Sequence, residues 1–248
     1  MNRRTSISAT FVLTGVLLAM LHVVSISAKD ETAPLPTSRT TRDLEGWQVS
    51  VDDRLLAAPN EELGSRTLRF LEAKLVEIKI VVPADKVKEL QKVKLVLDLN
   101  HGKLTSMQYH PSAGWLKANG YSPDLEKCVH LPRAADVATI RNVREQPWVI
   151  LHELSHAYHD QVLGFDEPRI RELYDHYKES GHGEQTLLYN GKRVKHYALT
   201  DHKEFFAEMT EAYFGSNDFF PFNRAELQEA EPEIYKVLKQ VWETPSKK

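Results

Sequence analysis

Residues 151–160 read LHELSHAYHD, and they place His152 and His156 four positions apart with Glu153 between them. Positions i and i+4 of an α-helix lie on one face, one turn apart. The flanking letters, WVIL before the first histidine and AY after the second, are mostly apolar and indicate a buried helix. On such a helix the two imidazole rings can bind one metal ion together.

Glu153 gives this helix the pattern of a metal-dependent hydrolase. It follows His152 directly, so its carboxylate points beside an ion held by the two histidines and can accept a proton from water there. The alternative is a surface helix with solvated histidines. A buried helix face seldom carries two histidines and a glutamate without partners, which disfavours that alternative. We therefore expect one Zn²⁺ per chain, bound by His152 and His156.

A zinc site of this kind requires a third protein ligand. The pattern HExxHxxGxxH does not apply, because His159 stands at its glycine position and Val162 at its last histidine position. His159 lies too far along the helix to share an ion with His152. We expect His159 at the surface or beside a ligand, so the third ligand must come from a downstream carboxylate.

Residues 203–214, KEFFAEMTEAYF, predict a helix with Glu204, Glu208 and Glu211 along one stripe. A charged face toward solvent is the alternative, but the aromatic residues between the glutamates favour a mostly buried helix. Packed against the HELSH helix, it would deliver Glu204 to the metal, and Glu208 would hold a ligand histidine by its second ring nitrogen. Spacing alone leaves the choice of ligand between Glu204 and Glu208 open.

The segment YALTDHKEFFAE (residues 197–208), taken with HELSH, resembles the catalytic domain of anthrax lethal factor-like metallopeptidases, zincins whose third ligand is a glutamate. In that family a tyrosine stands seven positions before this glutamate, as Tyr197 stands before Glu204. The resemblance covers about residues 150–210. The chain has no room for the additional domains of the toxins, so their partner and target are not carried over. The whole chain also looks like uncharacterised exported bacterial metallopeptidase-domain proteins with the segments MQYHPSAGW and YFGxNDFxPF.

The resemblance implies roles for the matching residues. His152, His156 and Glu204 would be the zinc ligands, and Glu153 the general base. Tyr197 would stabilise the oxyanion or protonate the leaving amine. Glu208 would take the place beside a ligand histidine.

The first 45 residues predict an exported protein. Arg3 and Arg4, an apolar run over residues 11–24 and small residues before Lys29 are the layout of a secretory signal peptide, here 1–28. An uncleaved membrane anchor is the alternative, but the run is short for a membrane span. Residues 29–45, rich in proline, threonine and charge, predict a disordered linker. We expect a periplasmic or secreted protein.

Residues 46–246 predict one α+β domain with a zincin-like arrangement. The strand-like segments come early, and helical spacing dominates late, so a small mixed sheet would be followed by a mainly helical half with the HELSH helix between. Asn190-Gly191 predicts a two-residue hairpin turn. The strand-like segments are WQVSV (47–51), VKLVLDLN (93–100), SMQYH (106–110) and EKCVHLP (126–132).

Residues Gln108 to His110, within the strand-like segment SMQYH, suggest a binding edge. Zincins often hold an extended peptide against an edge strand near the metal, and His110 would then contact the substrate. The alternative is a structured loop anchored by Pro111 and Trp115.

Composition narrows the choice of function. The chain has 248 residues, a net charge of -3 and no basic block, so no nucleic-acid partner is expected. A single cysteine excludes an intrachain disulfide. The leading interpretation is a zinc endopeptidase acting on a peptide or protein. The alternatives are a zinc hydrolase acting on a non-peptide amide, and a zinc-stabilised binding module without catalysis.

Overall fold

The computed structural model of the protein describes residues 33–245. The predicted signal peptide (1–28) lies outside the described residues, as does residue 246 at the end of the predicted domain. The described part mixes helices with a small mixed sheet, which agrees with the expected α+β class. No helix in this part is long and apolar enough to cross a membrane.

The first half of the described residues forms a five-stranded sheet, with the strand order β1-β2-β3-β5-β4. Its strands are β1 (Arg39–Leu44), β2 (Trp47–Asp52), β3 (Lys94–Leu97), β4 (Gln108–Tyr109) and β5 (Cys128–Leu131). β2, β3 and β5 run parallel to one another, whereas β1 and β4 pair antiparallel at the two edges. The expectation of an edge strand around residues 106–110 is confirmed.

β1 corrects the linker prediction. Residues 39–44, RTTRDL, lie within the segment expected to be disordered, yet they pair with β2 along its full length. Their side chains are mostly exposed, so the strand carries no apolar alternation for sequence reasoning to detect. Backbone pairing and the two hydrogen bonds from Arg39 to Asp98, of 2.7 and 2.8 Å, hold it in place.

Helices surround the sheet and form the second half of the chain. They are α1 (Glu61–Val81), α2 (Ala84–Leu90), α3 (Ala113–Ala118), α4 (Arg141–Arg144), α5 (Val149–Tyr158), α6 (Pro168–Ser180), α7 (His202–Phe214), α8 (Arg224–Ala230) and α9 (Pro232–Glu243). One core joins the sheet to α1 and α5 through Trp47, Val49, Val51, Leu71, Leu75, Leu95, Leu151 and Leu154. A smaller cluster packs Val96 and Cys128 against Leu116 and Leu125.

The hairpin precedes α7 and differs from the predicted turn. β6 (Thr186–Leu187) pairs with β7 (Arg193–Val194), and the N–H of Leu188 donates to the carbonyl of Lys192. The connection is therefore three residues long, 189–191, rather than two. Gly191 has a φ of +85°, which glycine adopts without strain.

α5 and α7 pack against each other, and their ends follow the sequence signals. Asp201 caps α7 by accepting from the N–H groups of Lys203 and Glu204 at 2.8 and 3.0 Å. α5 continues into a π-helical turn, His159–Leu163, before Gly164 ends the segment with a φ of +84°. The sequence pattern predicts a helix around His152 and His156 but does not reveal the π-helical turn.

Candidate metal centre

Three side-chain atoms meet between α5 and α7. Nε2 of His152 lies 3.1 Å from Nε2 of His156 and 3.0 Å from Oε2 of Glu204. The distance from Nε2 of His156 to Oε2 of Glu204 is 3.3 Å. The two histidines are buried and Glu204 is partly buried. The structure thus brings together the three residues that the sequence analysis named as ligands.

The distances fit a tetrahedral zinc shell. Bonds of about 2.0–2.1 Å in such a shell separate neighbouring ligand atoms by about 3.3–3.4 Å. The two Nε2 atoms face each other and the same carboxylate oxygen. The residues present therefore fit a zinc ion.

The second ring nitrogen of His152 is held by Glu211. Nδ1 lies 2.7 Å from Oε1 of Glu211 and 3.6 Å from Oε1 of Glu208. The hydrogen bond to His152 that was expected of Glu208 is therefore made by Glu211, and Glu208 is farther from the ring. A carboxylate on Nδ1 fixes the tautomer that presents Nε2 to a metal.

Glu208 is buried among polar groups and has no hydrogen bond to either histidine ring beside it. Its Oε2 lies 3.8 Å from Nδ1 of His196, and this oxygen lacks a hydrogen-bond partner within residues 33–245. Burial, and then the negative charge of Glu211, raise the pKa of Glu208 well above its ordinary value. Burial beside Glu211 therefore favours the protonated form of Glu208.

The electrostatics of His152 and Glu204 favour bound positive charge. Burial lowers the pKa of His152, but its hydrogen bonds with Glu204 and Glu211 prevail and raise that pKa well above the ordinary value. Burial raises the pKa of Glu204, but its hydrogen bonds with His152 and His156 bring it below the ordinary value. Glu204 is thus ionised, and a cation at this point is attracted to it.

Glu153 lies beside this group and is buried. Its Oε2 accepts a hydrogen bond of 2.8 Å from the backbone N–H of Tyr109 on the edge strand β4. Burial raises the pKa of Glu153, and the charges of His152 and His156 offset part of that rise. A carboxylate with a raised pKa is better matched to accepting a proton near neutral pH.

Tyr197 lies in the single turn between the hairpin and α7, and about half of its side chain, 49%, is exposed. Burial and the nearby charge of Glu204 raise the pKa of its phenol, so the hydroxyl keeps its proton. Tyr197 therefore offers a hydrogen-bond donor near Glu204. Within residues 33–245, the Tyr197 hydroxyl makes no hydrogen bond to another side chain. It is therefore free to bind an incoming molecule.

His110 does not face the metal centre. Its ring is buried, its Nε2 lies 3.2 Å from Nδ1 of His130, and it stacks on Trp115. Burial, with the neighbouring His130, lowers its pKa to about 4. These contacts favour the anchored-loop alternative over a substrate contact for His110.

His159 was expected at the surface or beside a ligand, and the first of these positions is wrong. Its ring is fully buried and contacts Phe165, Phe206 and His202. Neither of its ring nitrogens has a hydrogen-bond partner within the described part of the chain. Burial, with His202 and His156 nearby, lowers its pKa to about 3, so the ring is neutral.

A second group of residue types that bind metals lies beside β3 and β5. Nδ1 of His101 and Nε2 of His130 lie 2.7 and 2.8 Å from Oδ2 of Asp98. Arg39, however, donates to both oxygens of the same carboxylate. Its guanidinium already supplies the positive charge, so this group is better described as a buried hydrogen-bond network than as a metal site.

Comparison with protein-family models, with curated proteins and with solved structures finds no match to this chain. The resemblance to lethal factor-like metallopeptidases therefore remains an expectation, supported only by the residues quoted for it.

Two contacts of the site escaped sequence reasoning. Glu211 shares a stripe with Glu204 and Glu208, but nothing in the spacing gives it precedence over Glu208. Tyr109 contributes a backbone N–H, and a backbone contact leaves no residue-type signal in a sequence.

Proposed function

We propose that this chain is a zinc-dependent peptidase, with His152, His156 and Glu204 as the metal ligands. One observation carries the proposal: the three ligand atoms lie 3.0, 3.1 and 3.3 Å apart, and a buried glutamate follows the first histidine. A structural zinc site is usually closed by a fourth protein ligand and has no use for such a glutamate.

Each residue of the site has its own role in the proposed reaction. Zinc bound there would act as a Lewis acid, lowering the pKa of a water molecule and polarising a carbonyl group. Oε2 of Glu153 is held by Tyr109, so Oε1 is the oxygen placed to accept a proton from water. Glu153 then passes that proton to the leaving amine. The Tyr197 hydroxyl donates a hydrogen bond to the carbonyl oxygen as negative charge develops on it.

The metal assignment is tested by elemental analysis of purified protein after zinc is supplied. We expect about one zinc per chain, lost in Glu204→Ala and retained in Glu229→Ala, an exposed glutamate on α8. Glu208→Ala should retain most of the metal because its carboxyl is not among the three converging atoms. An intact protein that takes up no zinc would refute the proposal.

The catalytic assignment is tested with Glu153→Gln, which keeps the shape of the side chain but cannot accept a proton. We expect full zinc content and loss of peptide-library cleavage by 10²-fold or more. A variant that loses zinc in parallel would point to a structural role for Glu153. Zinc-dependent hydrolysis of simple amides with intact peptides would instead favour the non-peptide alternative.

A further inference from the structure

Tyr109 contacts the HELSH helix from the edge of the sheet. The N–H of His110 donates to the carbonyl of Cys128, and that bond belongs to the pairing of β4 with β5. Successive N–H groups of a strand point in opposite directions, so the N–H of Tyr109 points away from β5. It is this outward N–H that donates to Oε2 of Glu153.

The side chain of Tyr109 makes a second contact with the same stretch of chain. Its hydroxyl donates to Oδ2 of Asp160 at 2.6 Å and accepts from Nε2 of Gln161 at 3.1 Å. Lys127, next to β5, forms an ion pair with the same Asp160 oxygen. Asp160 and Gln161 lie in the π-helical turn that follows α5.

The two contacts are spaced to act together. Glu153 and Asp160 are seven residues apart, close to two helical turns, so they lie along one side of the helix. Tyr109 therefore spans that side, with its backbone on Glu153 and its hydroxyl on Asp160. A shift of β4 along the helix would break both contacts at once.

We propose that Tyr109 is a positioning residue for Glu153. It rests on the proposed function, in which Glu153 accepts a proton from water. The backbone N–H fixes Oε2 and leaves Oε1 as the reactive oxygen. The hydroxyl anchor on Asp160 keeps the strand, and with it the N–H, at hydrogen-bond distance from the carboxylate.

The arrangement also restricts how β4 can bind a peptide. The N–H of Tyr109 is already bonded, and Pro111, the next outward position, has no N–H to offer. An extended peptide that sought a donor at Tyr109 would have to displace Glu153.

The contact is tested by amide hydrogen exchange on protein labelled with ¹⁵N-tyrosine, which gives at most nine signals. The signal lost in Tyr109→Phe identifies Tyr109. We expect its exchange to accelerate about tenfold or more in Glu153→Ala, and to stay near wild type in Glu153→Gln, whose amide oxygen still accepts. Glu204→Ala removes a different glutamate of the site and should leave it unchanged. An unchanged rate in Glu153→Ala would overturn the proposal.

The anchor is tested by Tyr109→Phe against Tyr213→Phe, which removes another hydroxyl that donates to a carboxylate, Glu243, at 2.6 Å. We expect Tyr109→Phe to lower kcat about tenfold, with KM and zinc content unchanged, and Tyr213→Phe to leave kcat unchanged. A purely structural role would make kcat fall only in proportion to lost zinc or lost folded protein, and this result would also overturn the proposal.

Failure of the proposed function is distinguishable from failure of this inference. A wild-type protein without zinc or hydrolysis refutes the former and removes the catalytic role of Tyr109. Amide exchange in Glu153→Ala still reports whether Tyr109 holds Glu153, because that measurement needs neither metal nor substrate.

Discussion

Glu211 is the residue that holds the Nδ1 atom of His152, at 2.7 Å. We predict that Glu211→Gln lowers zinc affinity about 10- to 100-fold, because the charged acceptor that fixes the ring is lost. Competition with a chromophoric chelator measures the change. Glu208→Gln should have a much smaller effect, since the raised pKa of Glu208 makes the neutral amide a close substitute. Equal losses in both variants would contradict this assignment.

His159 should make the protein sensitive to acid. Its folded pKa is about 3 and its ordinary value about 6.5, so below pH 6.5 the unfolded chain binds a proton that the folded protein does not. The contribution of His159 to the free energy of unfolding is therefore complete above pH 6.5. It falls by about 1.4 kcal/mol per pH unit as the pH drops toward 3.

Replacing this ring tests the prediction. Denaturant titrations at each pH measure the free energy of unfolding. Between pH 6 and pH 4 it should fall less steeply in His159→Phe than in the wild type. The difference in slope should be about 1.4 kcal/mol per pH unit, which corresponds to one proton. At pH 7 the variant should be as stable as the wild type or more stable, because the buried ring nitrogens have no hydrogen bonds to lose. His176→Phe, on the exposed face of α6, serves as the control and should leave the slope unchanged.

At the residue scale, the sequence reveals contacts that depend on helical spacing. The four-residue step puts His152 and His156 on one face, and the structure brings Glu204 to them. Spacing cannot rank Glu208 against Glu211, because that depends on the rotation of α7 about its axis. It also cannot show that His110 turns toward His130, since a strand residue can face either side of its sheet.

The end of α7 packs against the beginning of α5 through Gly215. A Cβ at this position would lie 2.0 Å from ring atoms of Trp148. We predict that Gly215→Ala lowers the free energy of unfolding by about 1–3 kcal/mol, because Trp148 must move away from the helix that carries the two histidines. Thermal unfolding should show a fall of about 2–4 °C per kcal/mol.

A glycine without such a neighbour provides the control. Gly114 lies in α3, and a Cβ there would meet only the Ser112 hydroxyl, at 3.5 Å. Gly114→Ala should leave the melting temperature unchanged or raise it, because alanine favours helix more than glycine does. Equal destabilisation in both variants would show that the contact with Trp148 is not the cause.

At the element scale, the long elements were predictable and the irregular ones were not. Residues 203–214 predicted α7, and Asp201 caps it by accepting from the N–H groups of Lys203 and Glu204. The sequence of β1 shows no apolar alternation, because the side chains of this edge strand are mostly exposed and none has to be buried. The π-helical turn at 159–163 contains Asp160 and Gln161, which contact Tyr109, far away in sequence.

For the whole molecule, zinc binding should stabilise the fold. Glu204 and Glu211 lie within hydrogen-bond distance of His152, and Glu153 and Glu208 are buried beside it. At a free zinc concentration 100 times Kd, the free energy of unfolding should rise by about 2.7 kcal/mol. That corresponds to a rise of about 5–10 °C in Tm, measured by calorimetry with and without chelator.

A variant without Glu204 and a different ion, Mg²⁺, test whether the rise in Tm comes from zinc bound by these ligands. Glu204→Ala should show no such rise, because one of the three converging atoms is gone. Mg²⁺ should have no effect on the wild type, since it prefers six oxygen ligands to two imidazoles. A rise of the same size with Mg²⁺ would mean that general charge neutralisation, rather than the ligand set, stabilises the protein.

The bond between Tyr109 and Glu153 has a consequence for colloidal behaviour. An exposed sheet edge with unpaired N–H groups is a template on which a second molecule can add a strand. On β4 the Tyr109 donor is occupied and Pro111 has none, while on β1 the charged side chains Arg42 and Asp43 are exposed. Within residues 33–245, both edges of the five-stranded sheet are therefore poorly suited to pairing with a strand of a second molecule. Concentrated solutions should resist the growth of fibrils from the native sheet.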